Sequence, residues 1–138
     1  MAARLGPFSD GSSHFTWEAS EWPTFLHLDI FDDEWSDLGL GDDDLQELQS
    51  AILASSERYP IIRGTEGLRK IRFAPSREAR GKSGAYRAGY VRFPEFGFIL
   101  LATVWGKNDS SDLSARDRSG IVAIVRDIRR ALGAREDR

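Results

Sequence analysis

The run "FGFILLATVW", residues 96–105, constrains the fold more than any other part of the chain. It is almost continuously apolar, whereas a strand with one solvated face alternates apolar and polar residues. The run therefore predicts a central strand covered on both faces of a sheet. Two earlier runs, "LRKIRF" and "AYRAGYVRF", do alternate, and the link Pro94-Glu95-Phe96-Gly97 is short enough for a hairpin between the last two strands.

The flanking segments predict one further strand and two helices. "TFLHLDIF" alternates from Phe25 to Ile30 and indicates a first strand. "DDDLQELQSAIL" predicts a helix that ends near Tyr59-Pro60, with acids in its first turn and Leu45, Leu48, Ile52 and Leu53 on one face.

The last predicted helix lies in "SARDRSGIVAIVRDIRRAL", where Ser114 and Asp117 have capping-box spacing. An apolar stripe follows at Ile121, Ile124, Val125, Ile128 and Leu132. The order β-α-β-β-β-α then predicts an α+β domain with helices packed on an antiparallel sheet.

Length and composition define the class of protein. With 138 residues we expect one domain over residues 23–134, an N-terminal extension at 1–22 that lacks periodicity, and a short tail at 135–138. No run is long and apolar enough to predict a membrane span, and no secretory signal is expected. The absence of cysteine fits the reducing cytoplasm. Neither His14 nor His27 has a histidine at i+3 or i+4, so we expect no metal and no cofactor.

The net charge of −3 is unevenly distributed. Residues 1–62 hold two basic residues against thirteen acids, and residues 63–138 hold seventeen against nine. The densest basic stretch, residues 68–90, has seven Lys or Arg and a single Glu. Its "SREARGKS" segment does not fit a phosphate-binding loop, because Ser76 replaces the first required glycine and two strands, not a strand and a helix, flank it. The asymmetry predicts that the second half binds a polyanion.

The alternating strands point to a site built from cations. Lys70 and Arg72 project from one strand face, Arg87 can share that face from the next strand, and Lys107 ends the third. The loop between the first two adds Arg77, Arg80 and Lys82. Such a face suits a phosphodiester backbone. Tyr86, Tyr90 and Trp105 are candidates for stacking on unpaired bases, although at least one of them is expected in the core.

These residues also carry a resemblance. The run "GTEGLRKIRF…RGKSGAYRAGY…ILLATVWGKNDSSDLS" is similar to the RelE/HigB toxins of bacterial type II toxin–antitoxin systems. The similarity covers about Phe25 to Leu132 and leaves residues 1–22 outside. Some members have an Arg after the strand-ending Lys and a Tyr a few residues later, where this chain has Asn108 and Leu113.

The resemblance implies a RelE-like fold and a ribosome-dependent endoribonuclease that cuts mRNA in the A site. In that family the ribose 2′-hydroxyl attacks the adjacent phosphate without a metal. By position, Lys70, Arg72, Arg87 and Lys107 match the family's basic site residues. Arg87 is then expected to hold the phosphate, and Lys70 or Arg72 to polarise the 2′-hydroxyl; the general acid is unassigned. Arg77, Arg80 and Lys82 are expected to hold ribosomal RNA. The implied partners are the ribosome, mRNA and an antitoxin of helix-turn-helix type.

Three alternative functions remain open for a chain with these residues. A non-catalytic RNA- or ribosome-binding module would keep the basic face and leave mRNA intact. A degenerate relative would serve only to bind the antitoxin or to regulate. A related toxin branch that poisons DNA gyrase would not need this set of cations.

Overall fold

The computed structural model describes residues 3–5, 23–78, 86–106 and 113–136. In chain order, the elements are β1 (Ala3–Leu5), β2 (Thr24–His27), α1 (Asp29–Asp37), α2 (Asp42–Ser55), β3 (Arg69–Phe73), β4 (Tyr86–Phe93), β5 (Phe98–Gly106) and α3 (Ala115–Glu136). Two short 3-10 turns, Ser76–Glu78 and Pro94–Phe96, adjoin the strands. None of the helices described combines the length and apolar composition needed to cross a membrane.

The sheet is mixed, with the strand order β1-β2-β5-β4-β3. β3, β4 and β5 pair antiparallel, as do β1 and β2, whereas β2 and β5 run parallel. The predicted antiparallel sheet is therefore wrong at the β2–β5 pair. Between β2 and β5 the chain forms α1, α2, β3 and β4. Such a long connection allows β5 to pair with β2 in parallel.

β5 has the central position predicted for it. All its residues from Ile99 to Gly106 are buried, and it has partners on both sides. The predicted hairpin to β4 is also confirmed, with Gly97 at φ 75°, a left-handed conformation that glycine adopts without strain. Ala3–Leu5 pairs with β2 at the edge of the sheet.

Two hydrophobic cores lie on opposite faces of the sheet. α1 and α2 cover one face, where Phe31, Leu48 and Ile52 pack against Ile71 and Val104. α3 covers part of the other face, and the residues packed there include Ile121, Val125, Leu68, Phe93 and Leu100. The chain thus forms three layers, and the side of the sheet away from α1 and α2 is only partly covered by α3.

α1 was not predicted, because the alternating pattern from Phe25 to Ile30 indicated a strand. The strand ends at His27 and the helix begins at Asp29. An acidic residue is favourable in the first turn of a helix because it interacts with the positive end of the helix dipole. Phe31 and Trp35, one turn apart, are both buried, with ring centroids 5.4 Å apart. The element order is therefore β-β-α-α-β-β-β-α within the described ranges.

α1 also completes the edge of β5 where β2 has ended. The Glu34 carboxylate accepts hydrogen bonds from the Thr103 hydroxyl at 2.8 Å and from the Val104 backbone N–H at 3.1 Å. Burial raises the pKa of Glu34, and the bond from Thr103 partly offsets that rise. The side chain thus satisfies a backbone donor that has no strand partner on this side.

The two predicted helices are present with shifted limits. α2 ends at Ser55, earlier than predicted. α3 begins after the predicted cap, in which the Asp117 N–H donates to Ser114 Oγ at 3.1 Å. The predicted apolar stripe of α3 is wrong at Ile124, whose side chain is 38% exposed. Val122, which was not in the predicted stripe, is buried.

Candidate functional site

The strand register brings three cations together on one face of the sheet. Ile71 and Phe73 point into the core beneath α1 and α2, so the alternation of β3 places Lys70 and Arg72 on the opposite face. Arg72 is directly opposite Arg87 in the β3–β4 ladder, and Lys70 is opposite Gly89. Lys70 and Arg87 are therefore diagonal neighbours. We call Lys70, Arg72 and Arg87 the cation cluster.

The cation cluster places like charges on two paired strands. Like charges directly opposite each other on paired strands are destabilising, whereas opposite charges there contribute roughly 0.2–1 kcal/mol. Arg72 is exposed, and Lys70 and Arg87 are half-buried. An anion between the guanidinium groups of Arg72 and Arg87 would accept charge-assisted hydrogen bonds, which are the stronger class.

A glycine and a tryptophan border the cation cluster. Gly89 lies between Lys70 on β3 and Thr103 on β5. A Cβ at Gly89 would come within 3.1 Å of Leu68 Cδ1 and 3.2 Å of Thr103 Cγ2. The sheet surface beside Lys70 therefore has no space for a side chain at position 89. Trp105 lies opposite Arg87 on the other side of β4 and packs into the α3 core with 9% exposure. Its role in RNA binding stays a prediction.

The predicted RNA contact of Tyr90 is wrong. Tyr90 is fully buried on the face covered by α1 and α2, and its hydroxyl donates to the Ser56 carbonyl at 2.6 Å. Burial raises the pKa of the phenol. A ring enclosed in this way has no surface on which a base could stack.

The Arg77 side chain is 52% exposed, but its guanidinium group is hydrogen-bonded to the fold. Its Nε donates to Asp44 Oδ1 at 3.0 Å, its Nη2 donates to Asp44 Oδ2 at 2.8 Å, and its Nη1 lies 3.2 Å from Glu78. The Gly39 carbonyl accepts a further bond at 3.1 Å. The prediction that Arg77 holds ribosomal RNA is therefore not supported by these contacts. We call the Arg77–Asp44 pair the loop anchor, because it fixes the turn before residues 79–85 to α2.

The acid of the loop anchor is buried at the start of α2. The hydrogen bonds from Arg77 lower the pKa of Asp44, and the Gly41 N–H adds a bond at 2.8 Å. Asp42 and Asp43 are exposed. The interpretation of these acids as helix N-terminal charges is confirmed, and Asp44 also binds Arg77.

Next to the loop anchor, the Tyr86 hydroxyl donates to Glu78 at 2.9 Å. Burial and that bond raise the pKa of Tyr86. The remaining predicted cations, Lys107, Arg80 and Lys82, lie outside the described residues, so their roles stay predictions.

Sequence reasoning missed three residues on the same side of the sheet. Gly89 was read only as a strand position, and Arg118 and Arg126 in the last helix were not singled out. The last two are eight residues apart, which places them on one helix face two turns apart. With Ser119, Val122 and Ala123 between them, this spacing was the signal available in the sequence.

No protein-family model matches the chain. Among solved structures, the chain is similar to an arginine-to-alanine double mutant of the E. coli toxin RelE in the free state. The similarity has a TM-score of 0.43 and 23% sequence identity, and covers 63% of this chain and 84% of that one.

Proposed function

We propose that the protein is the toxin of a type II toxin–antitoxin pair and cuts mRNA in the ribosomal A site. The observation that carries the proposal is the cation cluster, in which Arg72 directly faces Arg87 and Lys70 is diagonal to it. Cations that share one strand face favour an anionic ligand, and a phosphodiester is the anion that best fits a row of cations. The sequence resemblance supplies the reaction type.

In the proposed reaction the RNA provides its own nucleophile. The ribose 2′ oxygen forms a bond to the adjacent phosphorus and loses its proton, while the bond from phosphorus to the 5′ oxygen breaks and that oxygen takes up a proton. The products are a 2′,3′-cyclic phosphate and a 5′-hydroxyl. Arg87 would donate to the non-bridging oxygens, where charge develops, and Lys70 or Arg72 would polarise the 2′-hydroxyl. Lys107 is proposed as the fourth cation of the site.

Ribosome dependence follows from the chemistry of the cation cluster. A site of cations stabilises charge strongly but contributes little proton transfer, so its rate depends on a substrate already held in line for attack. We expect naked RNA to be cut poorly and ribosome-bound mRNA efficiently. Equal cutting of both would point to a self-sufficient ribonuclease.

The test is induced expression in bacteria followed by primer extension on cellular mRNA. The wild-type chain should arrest translation and produce ends at A-site codons. Arg130→Ala serves as the matched control and should behave as wild type, because Arg130 pairs with Asp127 on an exposed surface of α3. Normal amino-acid incorporation while soluble protein accumulates would contradict the toxin assignment. Arrest without A-site ends would instead identify a ribosome-binding module that leaves mRNA intact.

The proposed protein partner is an antitoxin of helix-turn-helix type, which the toxin assignment implies. Coexpression of the product of an adjacent small reading frame should relieve the arrest and copurify with this chain. Failure of every adjacent frame to do either would remove the antitoxin from the proposal without affecting the assay of cleavage.

A further inference from the structure

A second basic surface lies beside α3, on the same side of the sheet as the cation cluster. It is a cleft of about 330 Å³ between α3 and the loop that leads into β3, lined by Gly64, Arg118, Ser119, Val122, Ala123 and Arg126. We call it the α3 cleft. The loop ends at Leu68, two residues before Lys70, so the cleft and the cation cluster are close along the chain.

Hydrogen bonds hold the loop that forms one side of the α3 cleft. The Ile62 N–H donates to the Leu68 carbonyl at 2.7 Å, and the Leu68 N–H donates to Thr65 Oγ1 at 3.2 Å. Glu66 has φ 60°, and its carbonyl accepts from Arg129 on α3 at 3.2 Å. The α3 cleft is therefore bounded on both sides by hydrogen-bonded backbone, which preforms it for a ligand.

The guanidinium groups of Arg118 and Arg126 are incompletely or weakly paired within the protein. The buried Nε of Arg118 has no hydrogen-bond partner among the described residues, and Arg118 Nη2 reaches the Leu113 carbonyl at 3.4 Å. Arg126 pairs with Glu66 at 3.2 Å, but both side chains remain accessible to solvent, Arg126 at 60% and Glu66 at 36%. Exposed pairs of this kind contribute little, so a phosphate can replace the carboxylate.

We propose that the α3 cleft binds a second phosphate of the RNA strand whose scissile phosphate lies at the cation cluster. This inference rests on the proposed function, and it names a subsite that the cation cluster does not contain. Arg118 and Arg126 hold the phosphate, and the Ser119 hydroxyl adds a neutral donor. Glu66 is the acid that competes with the phosphate for Arg126.

The test compares two identical charge changes on α3. Ala123→Glu places a carboxylate in the α3 cleft, and Ala131→Glu places one on α3 two turns away; both positions are exposed, so both variants should fold. The probe is a 2′-O-methyl oligonucleotide of about eight nucleotides, which cannot be cleaved and spans several phosphates. Ala123→Glu should weaken its binding about tenfold and lower the salt slope by about 0.7, while Ala131→Glu leaves both nearly unchanged.

Two further variants and a second probe distinguish the possible outcomes. Arg118→Gln should reduce affinity for the oligonucleotide, and Glu66→Gln should raise it by freeing Arg126. Binding of a dinucleotide with one phosphodiester should depend on Arg72 and Arg87 and should not change with Ala123→Glu.

If binding of the oligonucleotide is unaffected by Ala123→Glu and Arg118→Gln but requires Arg72 and Arg87, the α3 cleft proposal is wrong and the proposed function stands. If it needs the α3 cleft but not Arg72 or Arg87, the α3 cleft binds a phosphate, but the cleavage site and the proposal that one strand occupies both sites are wrong. If the wild-type chain does not bind it, the α3 cleft proposal is wrong.

Discussion

Arg72 and Arg77 are five residues apart in one basic stretch, and the fold uses them in opposite ways. Arg77 reaches back to the buried Asp44 with bonds at 3.0 and 2.8 Å. Arg72 faces Arg87 directly across the β3–β4 ladder, an arrangement in which the two charges repel. The loop anchor pairs a cation with an acid of the fold, whereas the cation cluster sets like charges on one strand face, where an anion can bind. A count of basic residues in the sequence cannot make this distinction, because it depends on which acids the fold brings near.

The largest expected effect separates the cation cluster, represented by Arg87, from the loop anchor, represented by Arg77, by activity. Arg87→Ala should slow single-turnover cleavage of ribosome-bound mRNA by about 10²–10³, since it removes a donor to the developing charge. Its ribosome association and melting temperature should stay close to those of wild type. Arg77→Ala should cleave at the wild-type rate at saturation. A stable and fully active Arg87→Ala protein would exclude this residue from the mechanism.

The second prediction reverses the comparison by measuring stability. Arg77→Ala should lower the melting temperature by a few degrees, because it leaves the carboxylate of Asp44 buried without its cation. Arg130→Ala, which removes one member of an exposed pair with Asp127, is the matched control and should have almost no effect. Equal melting temperatures for the two variants would show that the loop anchor does not stabilise the fold.

The pH dependence of that difference has a defined sign. Asp44 has a pKa below its ordinary value of 3.8 in the folded chain, so its stabilising contribution is present above that value. The contribution is lost as the pH falls through the folded pKa and Asp44 becomes protonated. Urea unfolding of wild type and Arg77→Ala should therefore give a gap at neutral pH that narrows under acid conditions. A gap independent of pH would assign the effect to packing of the arginine stem.

The smallest expected effect is a gain in stability. Arg72→Gln should raise the free energy of unfolding by about 0.2–1 kcal/mol at low salt, because it removes a repulsion from Arg87 while keeping a polar side chain. The gain should shrink as salt screens the two charges. Denaturant titrations at two salt concentrations measure both. A loss of stability would indicate that Arg72 makes a favourable contact in the free protein.

Local patterns in the sequence predicted the elements that local physics determines. The continuous apolar run gave β5 its central place, and alternation placed Arg87 and Tyr90 on opposite faces of β4. That same alternation already argued against Tyr90 as a partner of RNA on the cation face. α1 was missed because the alternating run from Phe25 to Ile30 outweighed the spacing of Phe31 and Trp35. The parallel β2–β5 pair has no local signature, since the two strands are about seventy residues apart.

The candidate site also contains a part that local sequence patterns predict and a part that depends on contacts between distant residues. Strand period was sufficient to place Lys70, Arg72 and Arg87 on a shared face, because their register follows from one hairpin-like pair. The commitment of Arg77 to Asp44 joins residues thirty-three positions apart, and the α3 cleft joins a loop to a helix. Both depend on tertiary packing, which the sequence pattern does not encode locally.

A double-mutant cycle of Arg72→Gln and Arg87→Gln tests the central claim most directly. The free energy of unfolding is measured for the four proteins, first free and then with a saturating uncleavable oligonucleotide. We predict a repulsive coupling of about 0.2–1 kcal/mol between the two arginines in the free protein, and an attractive coupling when the oligonucleotide is bound. An attractive or zero coupling in the free protein, unchanged by the oligonucleotide, would contradict a site held ready for phosphate.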